Sequence, residues 1–265
     1  MKILVDLRRR TYLLRQYLGR QIALRYNSTA LGIAWSLFTP LFMLVVYTIV
    51  FGVVMKARFG ISTKETPFDY GLTIFCGLNL FNLCGEMITR APRLIVTQPN
   101  LVKKVVFPLE ILPVVSMLDA LIHCVIAFIP LFLALAFVHR EIPWSFVFLP
   151  CYLVPTALYA VACGLFLSAL GVFVRDIENM VAPVITILLL GSAIFYPASS
   201  MTGPLRIWFD LNPITVIVES ARKTLVWGAA PDFIPLILVT LVGAIFAYLA
   251  GVFFLKAKPA FADVM

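Results

Sequence analysis

Charge is what this sequence has least of. Asp, Glu, Lys and Arg make up 13% of its 265 residues, about half the share of an ordinary soluble domain. Apolar residues make up 62%, and mean hydropathy is +1.01. So few charges cannot cover a surface facing water, so the solvent of most of the chain is lipid. Histidine is nearly missing, with only His123 and His139, which argues against a zinc or haem site. The cysteines at 76, 84, 124, 151 and 163 form no C-x-x-C pair. They sit in apolar stretches and behave as small hydrophobes, so neither a disulfide framework nor a metal centre is indicated. There is no G-x-x-x-x-G-K-[ST], so the chain has no P-loop to hold ATP. G-x-S-x-G and H-E-x-x-H are also missing, and no catalytic constellation emerges; the expectation is a protein that is not an enzyme. No cleavable signal is visible, because the first 27 residues are too charged for an apolar signal core. Internal repeats, linkers and low-complexity tracts are absent, which points to one membrane domain.

What is present is a series of long apolar runs. A hydrocarbon core of roughly 30 Å needs about 20 apolar residues per helix. Six runs qualify: residues 32–55, 70–88, 108–138, 144–174, 180–196 and 233–255. Prolines within or beside them are tolerated in membrane helices. Six crossings place both termini on one side. Fourteen Lys and Arg fall on that side and seven on the other. By the positive-inside rule both termini are cytoplasmic. The net charge of +8 is then a topology signal rather than a nucleic-acid one.

Three segments do not span. In the N-terminal arm, Leu4, Leu7, Leu14, Leu18 and Ile22 fall within roughly 80° on a helical projection. Arg9, Gln16 and Arg20 lie opposite, Arg8 and Arg15 flank the stripe, and Arg25 spoils its end. This pattern suits an interfacial helix on an anionic leaflet; an ordinary basic topogenic tail is the plainer reading. The loop at 97–108 carries Leu101, Val105, Val106 and Phe107 on one side and Lys103 and Lys104 on the other, between Pro99 and Pro108. It reads equally as a short helix that docks on a soluble partner and as a simple turn with stop-transfer lysines. The external stretch 197–231 is too apolar for a solvated loop and too broken for a span. Two short helices dipping into the outer leaflet, split at Asn212-Pro213, would fit it, and backbone at that depth usually lines a cavity or gate.

Glu86, Asp119 and His123 interrupt the apolar spans. Intramembrane charges are costly and often functional. Asp119 and His123 are four residues apart, as are Glu86 and Arg90, so each pair shares a helix face. A proton relay and a set of satisfied interhelical contacts both remain open.

Several stretches, in order, resemble one family: the membrane subunits of type-2 ABC exporters for O-antigen, capsule and teichoic-acid polysaccharides. Residues 25–40 (Arg-Tyr-Asn-Ser-Thr-Ala-Leu-Gly-Ile-Ala-Trp-Ser-Leu-Phe-Thr-Pro) resemble the family's entry into its first span, and residues 44–52 continue it. Some members carry a basic residue after Arg-Tyr, where this chain has Asn27. Residues 99–113 (Pro-Asn-Leu-Val-Lys-Lys-Val-Val-Phe-Pro-Leu-Glu-Ile-Leu-Pro) resemble the stretch around the coupling helix. Arg175-Asp-Ile, Phe195-Tyr-Pro-Ala-Ser and Leu211-Asn-Pro resemble the turn before the fifth span and the pieces around external gate helices. The Asn-Leu-Val-Lys-Lys run is most similar to O-antigen permeases.

The resemblance implies an all-α membrane protein with an interface helix in residues 1–31 and a six-helix permease domain over 32–256. A coupling helix falls near 98–107, two periplasmic gate helices near 204–227, and a cytoplasmic tail over 257–265. Asn100, Leu101, Lys103, Lys104 and Phe107 are expected to engage a separate ATPase that holds ATP and Mg; this chain needs no cofactor and no metal. Arg15, Arg20 and Arg25 are expected to meet a lipid pyrophosphate through charge-assisted hydrogen bonds. Trp35, Phe38, Tyr47 and Phe81 are the conduit candidates, and Tyr196, Pro204, Trp208 and Pro213 the gate candidates. The implied partners are a second copy of the chain, two ABC ATPases, a lipid-linked polysaccharide and membrane lipids, without nucleic acid. The implied site is the inner membrane, multi-pass. The rival expectations are a proton-coupled secondary transporter, a permease for a drug or small lipid, and a membrane enzyme.

Overall fold

The computed structural model describes residues 2–26, 34–60, 66–103, 107–139 and 144–265, with the side chains of 2–10, 26, 139 and 205 left aside. The described residues are helical with short connections and contain no strand. Helix α1 (Lys2–Tyr26) precedes α2 (Trp35–Tyr47), which continues through wider turns to Val54. Then come α3 (Pro67–Val96), the five-residue α4 (Pro99–Lys103), α5 (Ile111–His139) and α6 (Leu149–Phe173). The remaining helices are α7 (Ile177–Leu190), α8 (Pro204–Leu211), α9 (Pro213–Ala221), α10 (Phe233–Ala257) and α11 (Phe261–Val264). Among the described residues five helices are long and apolar enough to cross a membrane: Trp35–Val54, Pro67–Val96, Ile111–Val138, Trp144–Phe173 and Phe233–Val264. The chain is therefore a multi-pass membrane protein.

The expected span at 180–196 takes a different form. Helix α7 starts earlier and stops at Leu190, after 14 residues. At 1.5 Å per residue that is about 21 Å, short of the hydrocarbon core. Gly191 ends it, the Ser192 hydroxyl turns back to donate to Leu188 O, and Ala193 takes a positive φ of 50°. The local chemistry of Gly-Ser-Ala breaks the helix where hydropathy alone continues it.

Helix α3 is the central column, with 89% of its most apolar window buried against 17–44% in the other four. A capping box starts it. The Asp69 N–H donates to the Thr66 hydroxyl (3.3 Å), the Asp69 carboxylate accepts the Thr66 N–H (2.8 Å), and Pro67 sits in the first turn. Its main partner is α6, and glycine makes that approach possible. A Cβ at Gly171 would lie 2.4 Å from Pro92 O, and one at Gly164 2.3 Å from Met87 Cε. Helix α10 packs on the other side of α6, where the Tyr159 hydroxyl donates to Val239 O.

At one end of the bundle residues of both terminal helices join one apolar cluster. Leu13, Leu14, Tyr17 and Leu18 of α1 and Leu101 and Val102 of α4 pack against Ile95, Phe107, Leu112, Val172, Phe254 and Phe261. Lys258 and Glu110 close this cluster with an ion pair of 2.9 Å.

Candidate functional site

The amphipathic stripe of α1 explains how Arg25 is placed. Arg15, Gln16, Gly19 and Arg20 are exposed, whereas Leu13, Leu14, Tyr17, Leu18, Gln21 and Ile22 turn inward. Arg25 follows on the inward side. The residue that breaks the apolar stripe is thus the one that enters the bundle. Its Nη1 lies 2.9 Å from Glu86 Oε1 on α3 and 2.9 Å from Asp119 Oδ2 on α5. Arg90, one turn beyond Glu86, binds the same two carboxylates at 2.5 and 2.8 Å. Two cations and two anions from three helices form a neutral cluster. Asp119 is its most buried member, with a side chain 1% exposed, while both arginines are 30% exposed. Compensation of this kind lets charge stay inside an apolar bundle.

The cluster separates two spaces. On one side is a cavity of about 490 Å³ between α2, α3 and α5, lined by Trp35, Thr39, Tyr47, Asn79, Asn82 and His123 among others. On the other is an open pocket of about 500 Å³, lined by Gln21, Thr89, Arg90, Arg93 and Asp119. Arg25 lines both. The pocket's rim is basic, and Arg93 is tied by an ion pair to Glu178 at the start of α7.

Of the aromatic candidates, Trp35 and Tyr47 share the inner cavity. Phe38 lies on the outer face of α2, 54% exposed. Phe81 is buried in the core with Tyr70, Ile74 and Ile194. The four are not brought to one surface.

Around α4, Asn100 and Lys103 are exposed, Leu101 is half-buried, and Lys104 lies outside the described residues. Phe107 turns inward, and its ring centroid stands 5.0 Å from that of Tyr17. It packs against α1 rather than facing outward.

At the opposite end, α8 and α9 meet at Asn212. Its side chain accepts the Ile214 N–H to cap α9, and its amide donates to Gly191 O (2.9 Å) and Ser192 Oγ (3.1 Å). Pro204 and Pro213 occupy the first turns of the two helices. Trp208 Nε1 donates to Gly191 O at 3.2 Å. The Tyr196 hydroxyl donates to Leu190 O, and its ring meets Phe209 edge-on. Sequence reasoning did not single out Tyr70, Glu219 and Arg222, which hold the connector that follows α7, residues 191–203. The available signal, for two of them, was a Glu and an Arg one turn apart in a mostly apolar stretch.

A bundle of membrane-crossing helices, with a buried ion cluster, an amphipathic helix at one end and short broken helices at the other, is the architecture of a polytopic membrane protein. The particular family follows from comparison. The ABC-2 type transporter family matches residues 12–226, and the chain belongs to that family. Over 247 residues it is 24% identical to the O-antigen export system permease protein RfbA of Myxococcus xanthus, covering 92% of each chain. A protein of the same description from Klebsiella pneumoniae is 24% identical over 254 residues, covering 93% of this chain and 92% of that one.

Proposed function

We propose that this chain is the membrane subunit of an ATP-driven exporter that carries a polysaccharide linked to undecaprenyl pyrophosphate across the cytoplasmic membrane. The observation that carries the reading is the similarity to O-antigen export permeases along nearly the whole chain, within a family of transporters. The location of α1 and α11 in one cluster supports an even number of crossings. Helix α7 and its connector then supply the fifth crossing of six, and both termini face the cytoplasm. Exposed Asn100 and Lys103 present α4 to a separate ATPase that binds ATP and Mg. Leu101 and Phe107 transmit its movement into α1 and the span ends. Two copies of the chain and two ATPases form the assembly, with the conduit between the copies.

Arg15 and Arg20, exposed on α1, and Arg25, beside the basic pocket, attract the pyrophosphate. Trp35, Phe38, Tyr47 and Phe81 remain the conduit candidates; Trp35 and Tyr47 have the better support because they line an open space. The charge balance of the Arg25 cluster speaks for a structural role over a proton relay, since each carboxylate already has two arginine partners. The test is ATP hydrolysis by the chain reconstituted with its ATPase, with and without lipid-linked glycan. A stable complex whose hydrolysis responds to glycan is the expected result; failure of any ATPase to associate would overturn the reading.

A further inference from the structure

Arg222, at the end of α9, is 2% exposed, and among the described residues no carboxylate lies within ion-pair distance of it. A buried guanidinium without an anion is expensive unless its donors are used. Here three of its five N–H donors, one on each nitrogen, are spent on backbone carbonyls. Nε donates to Thr73 O on α3 at 3.0 Å, Nη1 to Ala193 O at 2.8 Å, and Nη2 to Ile194 O. The Phe59 ring lies 4.9 Å from the guanidinium carbon. Ala193 and Ile194 belong to the break after α7, where the carbonyls have lost their helical partners. Ala193 is also one of two non-glycine residues described with positive φ, a conformation that persists only where the surroundings impose it.

The rest of the connector is held through its carbonyls as well, from the short helices and from α3. Gly191 O takes Asn212 and Trp208, and Phe195 O takes the Tyr70 hydroxyl at 2.7 Å. One turn before Arg222, Glu219 accepts the Ala198 N–H at 2.7 Å. Helix α9 thus grips the connector by its carbonyls with a cation and by an amide with an anion. Gly77 gives the cation its room: a Cβ there would stand 2.6 Å from Arg222 Nη2 and 2.8 Å from Val218 Cγ1.

We propose that Arg222 is the positioning residue that holds the external gate shut, by fastening α9 and the broken end of α7 to α3. Opening this end requires Ala193 and Ile194 to leave the guanidinium together. No lysine can replace it fully, because an ammonium lacks the planar fork that reaches three carbonyls on two elements. The proposal rests on the exporter reading, with this end of the bundle as its gate.

The test is passive release of carboxyfluorescein from proteoliposomes holding the full chain with its ATPase, without ATP or substrate. Arg222→Met is expected to release dye at least about tenfold faster than the unaltered complex, in line with the loss of several charge-assisted bonds. Arg222→Lys should fall between the two, with ATPase association unchanged in both. If Arg222→Met is folded and its vesicles stay sealed, the proposal is overturned. If it does not fold, Gly77→Ala decides, because it keeps Arg222 and crowds its Nη2: leaky vesicles support the latch and sealed ones overturn it. A separate arm deletes the chain in the living cell and measures surface polysaccharide. Unchanged polysaccharide sinks the exporter reading itself, whereas sealed vesicles from a complex that does export sink only the latch.

Discussion

Replacing Asp119 by Asn removes one of two anions from a cluster of four charges. The Asp119 carboxylate takes Arg25 at 2.9 Å and Arg90 at 2.8 Å from a side chain 1% exposed. After the change both guanidinium groups depend on Glu86, and a net positive charge stays inside the bundle. Breaking a buried pair from one side costs about 3–5 kcal/mol. Both arginines are 30% exposed and Glu86 still reaches them, so solvent and the remaining pair reduce this to about 2–3 kcal/mol. In a chain of this size each kcal/mol moves the unfolding midpoint by about 2–4 °C, so the expected drop is about 5–10 °C. The assay is thermal unfolding of the full-length chain in lipid nanodiscs, extended to Arg90→Met and the double variant. The pair should show a coupling of at least about 1 kcal/mol. A midpoint for Asp119→Asn within about a degree of the unaltered protein, or strictly additive losses, would refute the reasoning. Below the new midpoint ATP-driven export should continue, and its complete loss in a folded variant would revive the proton relay.

Three further outcomes are expected. Lys103→Glu reverses an exposed charge on α4 and should weaken ATPase capture roughly tenfold, measured by co-purification at rising salt; unchanged capture would remove α4 from the interface. Phe107→Ala empties the contact with Tyr17 and should cost about 3 kcal/mol. The ATPase should remain bound while its hydrolysis loses its response to glycan, as read by steady-state phosphate release. Gly171→Ala would set a Cβ 2.4 Å from Pro92 O. Because that atom is backbone and cannot rotate away, α3 and α6 must part at a cost of about 1–3 kcal/mol, and the yield of monodisperse protein should fall; a normal yield and midpoint would show that the contact relaxes freely.

Much of this protein is written in local sequence. Hydropathy, run length and the shortage of charge determine that the chain lives in lipid as a bundle of helices, because burial in hydrocarbon depends on composition over about 20 residues and not on neighbours. The amphipathic arm, the capping box at Thr66 and the Asn212-Pro213 boundary are equally local, since a cap or a proline acts within one turn. Arg25 shows where that legibility ends. In the sequence it is a flaw in an apolar stripe, and Asp119 and Glu86 pair on paper with the residues four places away. Only the packing of α1 against α3 and α5 brings Arg25 and Arg90 onto both carboxylates, since partners 94 residues apart meet through tertiary structure. The same holds for the aromatics, where residue type could not tell Tyr47 on a cavity from Phe81 in the core. It holds also for Arg222, whose acceptors are backbone carbonyls. Every residue carries a carbonyl, so no side-chain pattern announces which ones a buried arginine will choose; the fold alone decides that, by leaving those of a broken helix unpartnered beside it.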